Sequence, residues 1–333
     1  MGFDVIAVTA RTNALATALA ERLAPFGGGA SIVGVADPSS VVPIGSGGAT
    51  LNALLVVAED LSARAGFGTL SAAPLRAARV LILHVGGAAR GGSPHPCLPQ
   101  ALTPLPLKTG MDDDEGEIMC GAEWALQLCQ QMFADAPPGV TVASTDSLLT
   151  MPPATLSGEW LDLGCVGDAA ACVGAVIALP TPATLASSHG VCTPVAPLPT
   201  SSSWSQHGPA CGTISYRASP AELKKVADGA GLGGGMVPIF TGIVWFSSAG
   251  AEALLDLHVR SPLDACTYIG IDSGAAPLYL DLHSDLLGAM LSSTDRDTYL
   301  SAPQSPTRTR AREVLWSSLR AARGGGLRLC TAP

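Results

Sequence analysis

RVLILHVGG, residues 79–87, decides the fold class: a run that is almost wholly apolar feeds directly into two glycines. A strand exposed on one face alternates polar and apolar side chains, whereas one covered on both faces by helices reads as this continuous run. Upstream, residues 4–10 form a second Val- and Ile-rich run, and residues 12–23 then place Leu15, Ala18, Leu19 and Leu23 on one helical face. Residues 31–36 make another apolar run ending at Asp37-Pro38, and Leu51, Leu54, Leu55, Ala58 and Leu61 recur at helical spacing. Downstream, the pattern predicts strands at 140–144, 173–179, 214–216, 239–246 and 278–282, with helices at 123–133, 220–227, 249–257 and 283–291. Such alternation predicts a three-layer α/β fold with a mostly parallel sheet. Residues 292–312 are polar and carry several Pro, Thr and Arg, which predicts a mobile connector before a last helix at 313–322.

The composition narrows the function. With 333 residues and 47% hydrophobic content, the chain can bury a large core without staples. Its 18 Lys+Arg against 27 Asp+Glu leave nine net negative charges, which exclude a broad phosphate-tracking surface for nucleic acid. No stretch approaches the roughly 18 apolar residues of a membrane span, despite a mean hydropathy of +0.36. The first residues lack the basic region of a signal peptide. Nine cysteines, none spaced as C-x-x-C, argue against a disulfide framework or zinc ribbon and point to a reducing, cytoplasmic setting.

Ligands of open α/β sheets collect at the carboxyl ends of the strands, so the unusual residues there are the candidates. Gly45, Ser46, Gly47, Gly48 and Thr50 stand immediately before a helix, where backbone N–H groups suit a phosphate. A tight turn without ligand uses the same glycines. The run matches neither the P-loop nor the dinucleotide fingerprint. Gly86 and Gly87 permit close backbone approach, and Arg90 can neutralise a phosphate or serve as a surface arginine. Asp146, beyond the strand at 140–144, can hold Mg²⁺ or cap a helix. Asp285 is either a second carboxylate for the metal or a favourable charge at a helix start. His84 and His189 have no metal-type partner at fixed spacing, and no G-x-S-x-G elbow favours a serine hydrolase.

Several blocks in order resemble the fucose pyrophosphorylase domain, found in fucose-1-phosphate guanylyltransferases and in the amino-terminal part of L-fucokinases. They are ADP (36–38) with GSGGATLNALL (45–55), ILHVGG (82–87), ALTPLPL (101–107), PPGVTVASTDSLL (137–149), VIALP (176–180), SSHGV (187–191), TGIVWFS (241–247) and PLDACTYIGIDSG (262–274). The last block is more similar to the L-fucokinase version. The resemblance implies a nucleotide-diphospho-sugar transferase-like, Rossmann-like fold over residues 1–291, with 292–333 as linker and helix. It implies GTP and L-fucose 1-phosphate as partners and Mg²⁺ as cofactor, held by Asp146 and Asp285, with Arg90 beside them in catalysis. It places nucleotide against Gly45, Ser46, Gly47, Gly48, Thr50, Gly86 and Gly87, and substrate against His189, Gly190, Thr241 and Gly242. Two departures stand out: Ala89 replaces the family Ser, and Pro99-Gln100 replaces a Gly-Lys pair. Losing one charge-assisted contact of the transition state costs about 2–4 kcal/mol, roughly 10²–10³ in rate. Two other readings stay open: the non-kinase part of an L-fucokinase, whose sugar-kinase domain lies outside these residues, and a degenerate nucleotide-binding module.

Overall fold

A computed structural model describes residues 2–85, 100–108, 118–146, 148–150, 173–198, 208–302, 305–321 and 326–331. The elements run β1 (Val5–Ala10), α1 (Asn13–Leu23), β2 (Ser31–Ala36), α2 (Gly45–Arg64), α3 (Ala72–Ala77) and β3 (Arg79–His84). A two-stranded ribbon, β4 (Pro104–Lys108) and β5 (Ile118–Cys120), leads into α4 (Gly121–Met132) and β6 (Gly139–Ser144). Then follow β7 (Gly174–Pro182), β8 (Gly190–Pro194), β9 (Cys211–Tyr216), α5 (Pro220–Ala230), β10 (Met236–Ser247), α6 (Ser248–Leu255) and α7 (Tyr268–Asp272). A π-turn (Leu282–Leu287), α8 (Gly288–Met290), α9 (Arg296–Ser301), α10 (Pro306–Ala321) and β11 (Leu327–Thr331) complete the order.

The main path of the sheet is β11-β7-β10-β6-β3-β1-β2, with β8 paired to β10 and β9 to β8. β1, β2, β3 and β6 pair in parallel, as do β7 and β11, while β10 runs antiparallel between β6 and β7. This is the expected α/β fold with a mostly parallel sheet. Strand alternation builds its two core layers. Val5, Ala7, Val80, Ile82, Val140, Val142, Val244 and Phe246 face one side with Leu51, Leu54, Leu55 and Ala58 of α2, Leu254 of α6 and Leu315 and Leu319 of α10. Ile6, Val8, Leu81, Leu83, Ile243 and Trp245 face the other with Leu19 and Leu23 of α1 and Leu126, Cys129 and Met132 of α4. Residues 79–84 lie at the centre of both layers, which is why their sequence has no polar face.

The carboxy-terminal tail corrects the expected connector. β11 joins the sheet in parallel beside β7, from Leu327 opposite Gly174 to Thr331 opposite Ala178. The polar residues of the tail include Arg308 and Arg312 of α10, which turn inward to Asp285. The division at 291 therefore does not separate a core from a tail. The run 278–282, expected as a strand, is instead an extended clip across the start of α2: Leu280 N–H donates to the Ile44 carbonyl, and the Leu280 carbonyl accepts from Gly47 N–H at 2.9 Å. No described helix is long and apolar enough to cross a membrane.

Candidate functional site

From β1 the chain moves outward to β2, then returns to place β3 on the other side of β1. The strand order reverses between β1 and β3, and a crevice opens at such a switch point beyond the carboxyl ends of the strands. Thr9 and Ala10 end β1, His84 ends β3, and Ser144, Thr145 and Asp146 end β6 and lead out of it.

The crevice floor is a hydrogen-bonded chain centred on His84. Thr50 donates its hydroxyl to the Ser46 carbonyl at 2.8 Å and lies 2.9 Å from His84 Nε2. Its single proton being engaged, Nε2 carries the hydrogen and Nδ1 accepts from the Thr9 hydroxyl at 2.8 Å. This tautomer is assigned from the network. Burial, reinforced by repulsion from His283 and opposed by Asp146, lowers the His84 pKa to about 4. The imidazole is therefore neutral at physiological pH. It ties β1, α2 and β3 together immediately before Gly86. Outside this floor, Arg11 ion-pairs with Asp37 at 2.7 Å, and burial nevertheless raises the Asp37 pKa.

One wall comes from β9, β10 and the π-turn. The His283 ring packs edge-on against Phe240, with centroids 5.0 Å apart, and lies 5.8 Å from the Tyr216 ring. Burial lowers the His283 pKa, while Asp281 and Asp146 pull it the other way. Burial raises the Tyr216 pKa, with smaller electrostatic contributions from Asp281, Cys192 and Asp146. Asp146 itself is exposed. Tyr216 and His283 thus pack together at the carboxyl edge of the sheet, within electrostatic reach of Asp146, while His84 lies buried beneath with both ring nitrogens engaged.

The remaining sequence-derived candidates fall in three groups. Gly86, Gly87 and Arg90 lie outside the described residues. The Gly45–Thr50 phosphate cradle is corrected: the Leu280 carbonyl takes Gly47 N–H, Ser46 Oγ accepts from Leu282 N–H at 2.9 Å, and Thr50 belongs to the His84 chain. Gly45 has φ +75°, and a Cβ there would stand 2.2 Å from the Leu280 oxygen. Close packing of two backbones, with a left-handed φ, accounts for this glycine.

Asp285 is likewise corrected as a metal ligand. It is fully buried, with Oδ1 2.6 Å from Arg312 Nε and Oδ2 2.6 Å from an Arg308 guanidinium nitrogen. Oδ2 also accepts from Asp281 N–H at 2.7 Å. Both oxygens are committed to two guanidinium groups and a backbone amide. Among the described residues, no group of three or more His, Cys, Asp or Glu is arranged to hold a metal.

His189 is exposed at the end of a short 3-10 turn. Gly190 lies opposite Tyr216, and a Cβ there would stand 2.9 Å from the Tyr216 ring, so this glycine seats the ring. The Thr241 hydroxyl donates to the Ile177 carbonyl at 2.8 Å, stabilising the irregularity of β10 between Phe240 and Val244. Gly242 in that irregularity has φ +85° and open space around its Cβ position. Sequence reading missed Thr9, Tyr216 and His283. A polar residue closing an apolar strand was the available signal for Thr9; His283 lay inside an expected helix with no partner at a telling spacing.

A mostly parallel, mixed sheet flanked by helices, with its strand order reversing between β1 and β3, defines a Rossmann-like α/β class. Within that class, the model of the fucose pyrophosphorylase domain matches residues 72–329, from α3 into β11, and the chain belongs to that family. No curated protein matches it. His84, Asp146, Tyr216, His283 and Asp285 all lie within the match. Membership supports a role of the sugar-1-phosphate nucleotidyltransferase type, with a nucleotide and a sugar phosphate as its general substrates.

Proposed function

We propose that the chain uses GTP and L-fucose 1-phosphate to form GDP-L-fucose. A phosphate oxygen of the sugar phosphate attacks the α-phosphorus of GTP, a new P–O bond forms, and the α–β bridging bond breaks to release pyrophosphate. Two polyanions must be aligned, so positioning and local positive charge supply the catalysis rather than a covalent nucleophile. The family match, on a fold that brings the carboxyl ends of β3 and β6, with His84 and Asp146, side by side next to the switch point, carries this reading. Asp285 being committed, Asp146 is the carboxylate that would hold Mg²⁺, and one protein carboxylate with phosphate oxygens fits that ion's usual coordination. The bound ion would neutralise phosphate charge. The cytoplasm is the proposed location, in keeping with nine cysteines of which none are spaced as C-x-x-C.

Incubation with GTP, Mg²⁺ and fucose 1-phosphate should release pyrophosphate, and Asp146→Asn should reduce that release by at least about 10²-fold. Full activity in the variant would remove Asp146 from the mechanism. Gln100 opens a 3-10 turn, Gln100–Leu102, at the position where active relatives resemble one another in carrying Lys. Gln100→Lys should therefore raise pyrophosphate release or GTP affinity by roughly tenfold or more. Unchanged GTP binding and turnover would show that residue 100 does not face the phosphates. The same substitution pattern supports a second reading, in which the domain binds these ligands as the non-kinase part of an L-fucokinase. Binding without pyrophosphate release, even at high protein concentration, would favour it.

A further inference from the structure

The His283 imidazole is held with unusual thoroughness. Behind it, Phe240 presents a ring edge-on at 5.0 Å. On its own chain, Asp281 caps the π-turn by accepting from Ser284 N–H at 2.7 Å, and Asp285 in the same turn is clamped by Arg308 and Arg312. Tyr299 Oη donates to the Asp285 carbonyl at 2.7 Å, fixing the turn from another side. A π-turn is uncommon and often marks a functional position. Yet Nδ1 of this fixed ring is buried with no hydrogen-bond partner. A native buried polar atom is nearly always paired, so the exception calls for a cause.

Its surroundings supply one. His283 is only part-buried, and its neighbour Tyr216 is half-exposed at 51%. Gly190 lacks the Cβ that would displace the Tyr216 ring. Asp146 acts on both side chains from the end of β6, and His84 lies close enough to His283 for their charges to interact. An aromatic face beside an imidazole with unused hydrogen-bonding capacity suits a sugar ring, whose C–H face packs on an aromatic and whose hydroxyls both donate and accept.

We propose that Tyr216 and His283 form the sugar-recognition wall of the crevice, with Tyr216 packing against the apolar face of the sugar of a sugar 1-phosphate and His283 hydrogen-bonding one of its hydroxyls. This rests on the nucleotidyltransferase reading for the identity of the ligand, while the nucleotide lies elsewhere in the crevice. Phe240, Asp285, Arg308 and Arg312 act through His283 as positioning residues.

The test is calorimetric titration of the full chain, separately with L-fucose 1-phosphate and with GTP plus Mg²⁺. His283→Leu and Tyr216→Ala should each weaken fucose 1-phosphate binding about tenfold or more and leave GTP affinity unchanged. His283→Gln, which retains hydrogen bonding, should recover part of the loss, a rescue that a packing role would not give. Thermal midpoints within a few degrees of wild type establish that each variant is folded; should His283→Leu fail to fold, Tyr216→Ala and His283→Gln carry the test. Unchanged sugar-phosphate affinity in the folded variants, or an equal loss for both ligands, overturns the wall. Wild type that binds GTP and not the sugar phosphate overturns the wall and leaves the nucleotide reading intact. Wild type that binds the sugar phosphate and not GTP overturns the transferase reading alone, and wild type that binds neither overturns both.

Discussion

Asp285→Ala should lower the unfolding free energy by about 3–5 kcal/mol, the cost typical of breaking a buried ion pair by removing one partner. The carboxylate is fully buried, and Arg312, which it neutralises, is 6% exposed. Removing the anion leaves Arg312 buried beside the Tyr299 ring, with the Tyr299 carbonyl as its remaining hydrogen-bond acceptor among the described residues. Arg308→Ala should cost distinctly less, because Arg308 is 27% exposed and Asp285 keeps Arg312 and Asp281 N–H. Urea denaturation measures both changes as shifts in midpoint at constant slope. A loss under about 1 kcal/mol for Asp285→Ala would mean that the triad is not the joint between α10 and the π-turn.

That joint also explains what was legible in the sequence and what was not. Strands and helices announce themselves through local period, and residues 79–84 carry the whole argument for a two-sided sheet because both faces of β3 are buried. Long-range compensation leaves no such trace. Asp285 read as a metal ligand because a carboxylate follows an apolar run, while its two counter-ions stand 23 and 27 residues later in a segment whose polarity suggested solvent. Once Arg308 and Arg312 are seen as the partners of Asp285, the polar tail becomes a core element.

The glycine run at 45–50 was ambiguous for a related reason. Phosphate approach and backbone approach both require a missing Cβ, and only the position of Leu280, more than two hundred residues away, decides between them here. The block at 262–274 has a similar structural basis. Tyr268 N–H donates to Asn52 Oδ1 at 3.0 Å and its hydroxyl reaches Glu59, clasping two turns of α2, while Asn52 donates to the Ala36 carbonyl. Its distinctive sequence thus fixes α2, whose second turn supplies Thr50 to the His84 chain. Asp146 could be found because a carboxylate at a strand's carboxyl end is a local feature; the convergence of His84, His283 and Tyr216 upon it is not.

Below about pH 6.5 the protein should lose stability faster than a His84→Gln variant does. The His84 pKa falls from 6.5 to about 4 on folding, because burial and the nearby His283 disfavour the imidazolium more than Asp146 favours it. Neither threonine is the cause, since both hydroxyl oxygens can accept from a doubly protonated ring. Between the two pKa values the unfolded chain binds a proton that the native chain does not, so stability rises with pH through this window and falls as the solution is acidified. A depression of that size corresponds to about 3 kcal/mol, absent above pH 7, mostly expressed by pH 4 and complete only below it. Carboxylates titrate over part of the same range, and subtracting the His84→Gln profile removes their contribution. Unfolding free energies from urea curves at pH 7.5, 6, 5 and 4 should diverge progressively between the two proteins, wild type losing more. Parallel profiles would mean that His84 is not held neutral, and with that the Nε2–H tautomer linking Thr9, His84 and Thr50 would lose its support. The crevice floor would then need a different proton arrangement before any role in orienting phosphate were assigned to it.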